Sequence, residues 1–166
     1  LIDKNEEVAI KKINGILKNY EIIYNNLWIE MMKNKIGINQ KVEQDNELIN
    51  ELLDLMHVFK LDYTNTFINI ERNRIDKFAF MKDWYNKLKD RKRLNKKEEK
   101  KINLNPKIIP RNHIIEKILN DSEKENYNNL NNLLFYLNDP YNSKIPSEYT
   151  AEPKNEEKIH QTFCGT

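Results

Sequence analysis

The stretch INGILKNYEIIYNNLWIEMMKNKIG, residues 13–37, decides the fold class of this chain of 166 residues. Its apolar side chains recur every three or four positions, which predicts an α-helix from about Asn5 to Asn34 with one face turned to a core. That face consists of Ile13, Leu17, Tyr20, Ile23, Tyr24, Leu27 and Met31. Gly37 follows where a helix end favours glycine, and Gly15 weakens the interior enough to allow a break there.

Helical periodicity continues along the rest of the chain and predicts five more helices. They cover about residues 45–60, 63–72, 78–92, 111–120 and 123–138. Asp62 is a good N-cap for the second of these, and Ser122 with Glu125 forms a capping box before the last one. The side chains expected to point inward are Leu48, Leu52, Leu55, Met56, Phe59, Phe78, Met81, Trp84, Tyr85, Leu88, Ile114, Ile115, Ile118, Leu119, Tyr127, Leu130, Leu133, Leu134 and Leu137. We therefore predict an all-α fold of about six helices with an extended C-terminal tail.

Composition divides the chain into four parts. Residues 1–92 form a helical segment, 93–110 a basic linker with prolines, 111–139 a pair of helices, and 140–166 an extended tail with a terminal cysteine. Prolines punctuate both the linker and the tail, and neither has apolar periodicity. Because a structureless tail of this length is unusual in a compact domain, we expect it to lie over the helices.

Charge patterning describes the surface. Apolar residues make up 39% and charged residues 33% of the chain, which predicts a modest core and a heavily charged surface. The 28 basic and 26 acidic residues are interleaved, as is typical of solvated helices. Residues 91–101 are more basic and would suit nucleic acid or a membrane surface. Since Glu98 and Glu99 interrupt them and no aromatic residue interleaves them, a linker is favoured. No apolar run is long enough to span a membrane.

Sequence motifs for catalysis are either absent or misleading. Val8-Ala9-Ile10-Lys11 spells the strand motif whose lysine grips ATP phosphates in protein kinases. No glycine-rich loop precedes it, and the stretch has helical periodicity, so we do not assign Lys11 to ATP. His57, His113 and His160 have no partner at a metal-ligand spacing, and His57 is expected on or beside the core face of its helix.

Two features of the sequence, Cys164 and residues 105–112, each have more than one interpretation. Cys164 is the only cysteine, which excludes a disulfide-stapled secreted fold. Its thiol is either buried, with Phe163 as an anchor, or exposed to oxidation and exchange. Residues 105–112 are either a loop that feeds a helix, with Arg111 paired to a carboxylate, or a docking site for a neighbouring domain.

Six short motifs follow one another in an order that resembles a known family. They are Met32–Ile38 (M-x-x-K-L-G-L in the family), Asp62–Phe67 (D-Y-T-x-x-F), the helix of Trp84, Asn105-Pro106-Lys107 with Arg111-Asn112 (N-P-[KR] and R-N), Leu137–Tyr141 (L-x-x-P-Y), and a cysteine third from the end. On these residues the chain resembles the carboxy-terminal part of the selenoprotein O family, whose members are pseudokinases that act as protein adenylyltransferases. Pro110 departs from the family, which usually has an apolar residue before R-N.

The resemblance implies the C-terminal helical part of a protein-kinase-like fold, with residues 1–92 in its C-lobe. Family members bind ATP and Mg²⁺ and transfer AMP to Ser, Thr or Tyr hydroxyls of protein substrates. Their nucleotide- and metal-binding residues lie upstream of the part seen here. The resemblance therefore places no catalytic, cofactor-binding or metal-binding residue in this chain, and the chain alone is expected to be inactive. The motif residues that it marks as structural are Asp62, Tyr63, Thr64, Asn105, Pro106, Arg111, Asn112, Pro140 and Tyr141.

The same resemblance suggests a mode of regulation and a location. The terminal cysteine of the family can form a regulatory disulfide with a cysteine of the catalytic part, and Cys164 fits that role. Eukaryotic members are mitochondrial, which implies a mitochondrial location. We expect a monomer that binds its own upstream catalytic lobe and its protein substrates, without nucleic acid and without a membrane span.

Two rival hypotheses stand beside this one. In the first, the chain is a stand-alone helical interaction module that binds nucleic acid or acidic partners through Arg91–Lys101. In the second, it is an oligomeric structural protein in which Cys164 bridges two subunits.

Overall fold

Six helices form the part of the chain that the computed structural model describes, which is residues 2–38, 45–75, 78–93, 103–142 and 144–157. The helices are α1 (Glu6–Ile36), α2 (Asp45–Val58), α3 (Tyr63–Glu71), α4 (Lys82–Arg93), α5 (Asn112–Ser122) and α6 (Asn128–Leu137). No strand occurs in these ranges. The prediction of an all-α fold with about six helices is therefore confirmed.

Helix α1 has the ends that its sequence predicts. The side chain of Asn5 caps the start by accepting the backbone N–H groups of Glu7 and Val8 at 3.0 and 3.3 Å. Gly37 ends the helix in the left-handed region at φ 78°, a conformation that only glycine adopts without strain. The helix continues through Gly15 without a break. It also contains residues 8–11, so the kinase-like motif lies on a helix and not on a strand.

The first core lies between the last turns of α1 and helices α2, α3 and α4. The indole N–H of Trp84 donates to the carbonyl of Leu48 at 2.8 Å, which fixes α4 against α2. The fully buried side chains around it are Met32, Ile36, Ile38, Ile49, Leu52, Phe67, Ile70, Ile75, Met81 and Leu88. Of the predicted α4 face, Met81, Trp84, Tyr85 and Leu88 are buried. Among the described residues, no helix combines the length and apolarity that crossing a bilayer requires.

A second, smaller core joins α5, α6 and the tail. Its buried members are Ile108, Ile114, Ile118, Leu133 and Tyr149. Tyr149 comes from the tail and packs its ring against that of Tyr136 on α6, with centroids 5.2 Å apart. Burial raises the pKa of Tyr149, as expected for a phenol moved out of water. The described part of the tail therefore lies over the helices.

The prediction of which face of α1 meets the core is wrong. The seven side chains expected to point inward are all exposed, by between 37% for Ile13 and 65% for Tyr20. The core instead receives Met32 and Ile36, with Trp28 and Ile29 partly buried beside them. At about 100° per residue, these two sets of residues lie roughly 130° apart around the helix. The period was right, but α1 has two apolar faces and the sequence does not say which one meets the core.

Other side-chain predictions are also wrong. Ser122 ends α5, and its hydroxyl donates to the carbonyl of Ile118 at 2.8 Å, so it forms no capping box with Glu125. Glu125 has φ 60° and lies in the turn before α6. His57 is exposed and not beside the core. The expected inward residues that are exposed instead are Phe59, Leu119, Tyr127 and Leu134.

Candidate functional site

A non-helical segment of the chain runs alongside α3 and is bound to both of its ends by ion pairs. This segment, residues 105–111, is called the strap. Lys107 pairs with Glu71 at the end of α3, and Arg111 pairs with Asp62 at its start. Nine residues of helix rise about 14 Å, and four extended residues span about 13–14 Å. The two ion pairs therefore fit because the strap runs antiparallel to α3 with matching length.

The pair at the start of α3 has two hydrogen bonds. Arg111 donates from Nη1 and Nη2 to the two carboxylate oxygens of Asp62, at 2.6 and 2.9 Å. Asp62 also caps α3, because its Oδ1 accepts the backbone N–H of Asn65 at 2.8 Å. The two side chains are only 8% and 16% exposed. Burial alone would raise the pKa of Asp62, but the hydrogen bonds from Arg111 and the backbone hold it below its usual value. The Asp62 carboxylate in turn raises the pKa of Arg111.

The other end of the strap ties three elements together. The side-chain amide of Asn105, which is 1% exposed, donates to the carbonyl of Lys35 and to Glu71, each at 3.0 Å. Its carbonyl oxygen accepts the Lys35 ammonium at 3.2 Å. The backbone N–H of Lys107 donates to the carbonyl of Pro140 at 2.6 Å. The strap thus joins the ends of α1 and α3 to the turn after α6.

Lys35 is half-buried beside the strap, and its ammonium lies next to two aromatic rings. Its ammonium lies 4.7 Å from the ring centre of Phe67 and 5.5 Å from that of Tyr63. Burial lowers the pKa of Lys35, and the charge of Glu71 offsets part of this effect. Burial also raises the pKa of Tyr63, whose hydroxyl donates to the sulfur of Met32 at 3.5 Å.

The structure brings most of the predicted motif residues into one place. Asp62, Asn105 and Arg111 form the buried contacts of the strap, Pro106 lies within it, and the Pro140 carbonyl accepts from it. Thr64 is half-buried on α3, and its backbone N–H is among the groups that stabilise the Asp62 carboxylate. Asn112 and Tyr141 are exposed and are not part of these contacts. Cys164 and His160 lie outside the described residues.

The contacts of the strap also bear on residues 105–112, which the sequence left as either a loop or a docking site. Arg111 has the carboxylate partner that the loop interpretation requires. Asn105, Lys107 and Ile108 are buried, although they belong to the range 93–110 that was predicted as a linker. The division of the chain into four parts stays a prediction.

A second buried ion network was missed from the sequence. Asp45 is 1% exposed and accepts Arg91 at 2.6 Å and Lys33 at 3.2 Å. Asp45 is the first residue of α2, and Arg91 was counted in the basic strip 91–101. Neither residue carries a local signal, because the pair is 46 positions apart and depends on how α2 packs on α4. Residues 94–101 of the strip lie outside the described residues.

The polar contacts of the strap are those of a structural element. The carboxylates that it contacts, Asp62 and Glu71, accept hydrogen bonds from cations and from an amide, and its own cations, Lys107 and Arg111, are buried against those carboxylates. A general base, a metal ligand or a phosphate-binding cation must instead offer a group to an incoming molecule. Among the described residues, no group of three or more His, Cys, Asp or Glu side chains could hold a metal ion.

Comparison with known proteins agrees with the motif order. The family model described as protein adenylyltransferase SelO matches residues 5–138. The protein nucleotidyltransferase YdiU of Clostridium perfringens strain ATCC 13124 is 34% identical over the whole chain. Proteins of the same name from Clostridium botulinum strain Eklund 17B and Bacillus cereus strain ZK are 38% and 36% identical. In each case the match covers 36% of the relative, so the chain spans about a third of the length of these relatives. The resemblance to selenoprotein O is thereby confirmed, and the chain belongs to the protein adenylyltransferase SelO family.

Proposed function

We propose that the full-length protein is a protein adenylyltransferase, and that this chain is the helical support of its catalytic part. The observation that carries the proposal is the family match over residues 5–138, together with the packing of the family-motif residues into the strap. In the proposed reaction a Ser, Thr or Tyr hydroxyl of a protein substrate attacks the α-phosphorus of ATP. The hydroxyl oxygen becomes bonded to AMP, and pyrophosphate leaves. Mg²⁺ offsets the charge on the phosphates.

The cations of the strap are already paired with carboxylates, which bears on where ATP binds in the full-length protein. The cations of the strap, Lys107 and Arg111, are 5% and 8% exposed and are already paired. Releasing either of them to a phosphate would leave a partly buried carboxylate without its cation, at a cost of up to about 3–5 kcal/mol. The strap therefore supports the idea that ATP and Mg²⁺ bind residues outside this chain.

Labelled ATP tests the proposed reaction. The polypeptide that the gene encodes with the sequence upstream of Leu1 and the 166-residue chain alone are each incubated with ATP labelled at the α- or the γ-phosphate. We expect protein labelling by the longer polypeptide from the α-label only, and none by the chain alone. Labelling by the chain alone, or labelling from the γ-phosphate, would contradict the proposal.

The terminal cysteine is proposed as a regulatory group. The chain has a single cysteine, so a disulfide of Cys164 needs a partner outside it. Following the family resemblance, that partner is a cysteine of the catalytic part. Mass spectrometry of the full-length protein under non-reducing conditions should find a peptide linked through Cys164, and Cys164→Ser should abolish it and remove any dependence of activity on reductant. A free Cys164 thiol under oxidising conditions would contradict this role. A mitochondrial location stays a prediction.

A further inference from the structure

Helix α1 carries an apolar surface that its own domain does not use. This surface, the outer stripe, consists of Ile13, Ile16, Leu17, Tyr20, Ile23, Tyr24, Leu27 and Met31. Each of these side chains is at least 37% exposed. Together they form a continuous band about 27 Å long. Exposed apolar patches larger than a few hundred Å² mark interaction sites, and eight large side chains exceed that size.

Residues 10–27 of α1 are exposed on every side of the helix, so only its last turns, from Trp28 onward, meet the first core. Before Trp28, the side of the helix that continues the core-facing line carries polar residues such as Asn14, Lys18 and Asn25. The apolar stripe lies on the other side and points away from the first core. An amphipathic surface helix normally turns its apolar side to its own core. A helix with this arrangement needs a second partner to cover the outer stripe.

We propose that the outer stripe packs against the polypeptide that the relatives carry outside the matched region. The proposal rests on the proposed function, in which this chain supports a catalytic part. The matched region is 36% of the length of the relatives, so about two thirds of each relative is there to supply the covering surface. Being in the same polypeptide, this partner is present at a high effective concentration, which a second copy of the chain is not.

The chemistry of the stripe fits such a permanent, apolar interface. It contains aliphatic side chains, a methionine and two tyrosines whose rings stack with centroids 6.2 Å apart. Its flanks are charged, with Lys12 and Glu30 on one side and Glu21 on the other. An apolar centre with a polar rim is typical of permanent interfaces. A nucleic acid or an acidic peptide would need cations within the stripe itself.

Two neighbouring methionines provide the test. Met31 lies in the outer stripe and is 44% exposed, whereas Met32 is fully buried in the first core. Dilute hydrogen peroxide oxidises accessible methionine to the sulfoxide, and peptide mass spectrometry follows each residue separately. In the 166-residue chain we expect rapid oxidation of Met31 and slow oxidation of Met32. In the polypeptide extended upstream of Leu1, we expect Met31 to slow by about tenfold or more, while Met32 stays unchanged.

A matched pair of substitutions supplies the second readout. Leu27→Ser removes a stripe side chain that is 60% exposed, and Asn26→Ser changes an exposed polar neighbour to the same residue. We expect Leu27→Ser to lower the melting temperature of the extended polypeptide by several degrees and to leave that of the 166-residue chain unchanged. Asn26→Ser should change neither.

The outcomes separate this proposal from the proposed function. Protection of Met31 without any transfer of AMP would contradict the proposed reaction and leave the interface in place. Equal oxidation of Met31 in the two polypeptides would overturn the interface. So would protection of Met31 in the 166-residue chain that increases with its concentration, because a second copy would then cover the stripe. A gene that encodes no further polypeptide would also overturn it.

Discussion

Arg111 binds both carboxylate oxygens of Asp62, although the two residues are 49 positions apart in the sequence. The same carboxylate caps α3 by accepting the N–H of Asn65. The Asp62 side chain therefore both caps α3 and anchors the strap that runs alongside it. Loss of Asp62 or Arg111 should thus affect the local helix and the long-range packing together.

Replacing Arg111 by methionine should be strongly destabilising. Arg111→Met leaves the partly buried carboxylate of Asp62 without its cation, and we expect a loss of about 3 kcal/mol in the free energy of unfolding. Urea denaturation followed by circular dichroism measures this loss. Arg74→Met, at an exposed arginine, is the control and should change stability by less than about 0.5 kcal/mol.

A double substitution shows whether the two residues act as a pair. Asp62→Ala with Arg111→Met removes both charges, so that neither is left buried alone. We expect the loss for the double variant to be clearly smaller than the sum of the two single losses. Additive losses would mean that Asp62 and Arg111 stabilise the protein independently.

The pH dependence of stability should report on Asp62. The hydrogen bonds from Arg111 and the backbone hold the pKa of Asp62 in the folded protein below the usual value of an aspartate, so the folded state favours the ionised form. The stabilisation is fully present above the unfolded pKa and is lost as the pH falls through the lower folded pKa. The stability difference between the wild type and Asp62→Asn should therefore be constant near neutral pH and narrow below about pH 4. Urea denaturation at a series of pH values tests this, and a difference that stays constant down to pH 2 would contradict it.

Replacing Gly15, inside α1, and Gly37, directly after α1, by alanine should change the stability of the protein in opposite directions. At Gly15 an added Cβ meets no atom within 4 Å, so Gly15→Ala should stabilise the helix by about 0.5–1 kcal/mol. At Gly37 the backbone is left-handed, and an added Cβ would lie 2.8 Å from the Lys92 ammonium nitrogen. Gly37→Ala should therefore destabilise the protein by about 1–2 kcal/mol. Thermal unfolding shows whether each variant melts at a higher or a lower temperature than the wild type. Equal changes in the melting temperature of the two variants would contradict the assigned helix end.

The buried position of Asp45 should set it apart from surface carboxylates. Asp45→Asn removes the charge that faces Arg91 and Lys33 in the interior, and we expect a loss of about 3–5 kcal/mol. Glu51→Gln is the matched control, because Glu51 pairs with Lys87 at the surface, where such pairs contribute less than about 1 kcal/mol. Similar losses for the two variants in urea denaturation would contradict the buried network.

The features that follow from local chemistry could be predicted from the sequence. Asp62 caps α3, and Gly37 ends α1 with a positive φ, because capping and left-handed turns depend on residues within a few positions. The number of helices follows from periodicity for the same reason. Ser122 shows the limit, since the hydroxyl that suits an N-cap also suits the last turn of a preceding helix.

Features that depend on distant partners could not be predicted. The outer stripe of α1 and its core-facing residues have similar apolar character, so periodicity alone does not choose between them. Glu71 gave no sign of its pairing with Lys107, because a lone glutamate at a helix end is usually solvated. The motif order pointed to residues 105–112 as a group, and the contact of residues 105–111 with α3 explains why most of these residue types occur together.

The two ion pairs of the strap also set its register along α3. Isoleucine and leucine side chains accept many neighbours of similar shape, so apolar packing alone would tolerate a shift of the strap along α3. A slide of one turn, about 5.4 Å, would carry Lys107 and Arg111 past Glu71 and Asp62 and leave four charges without partners. Inserting or deleting a residue within α3 would produce the same mismatch. The length of this nine-residue helix is thus fixed by the distance between two charges on another segment.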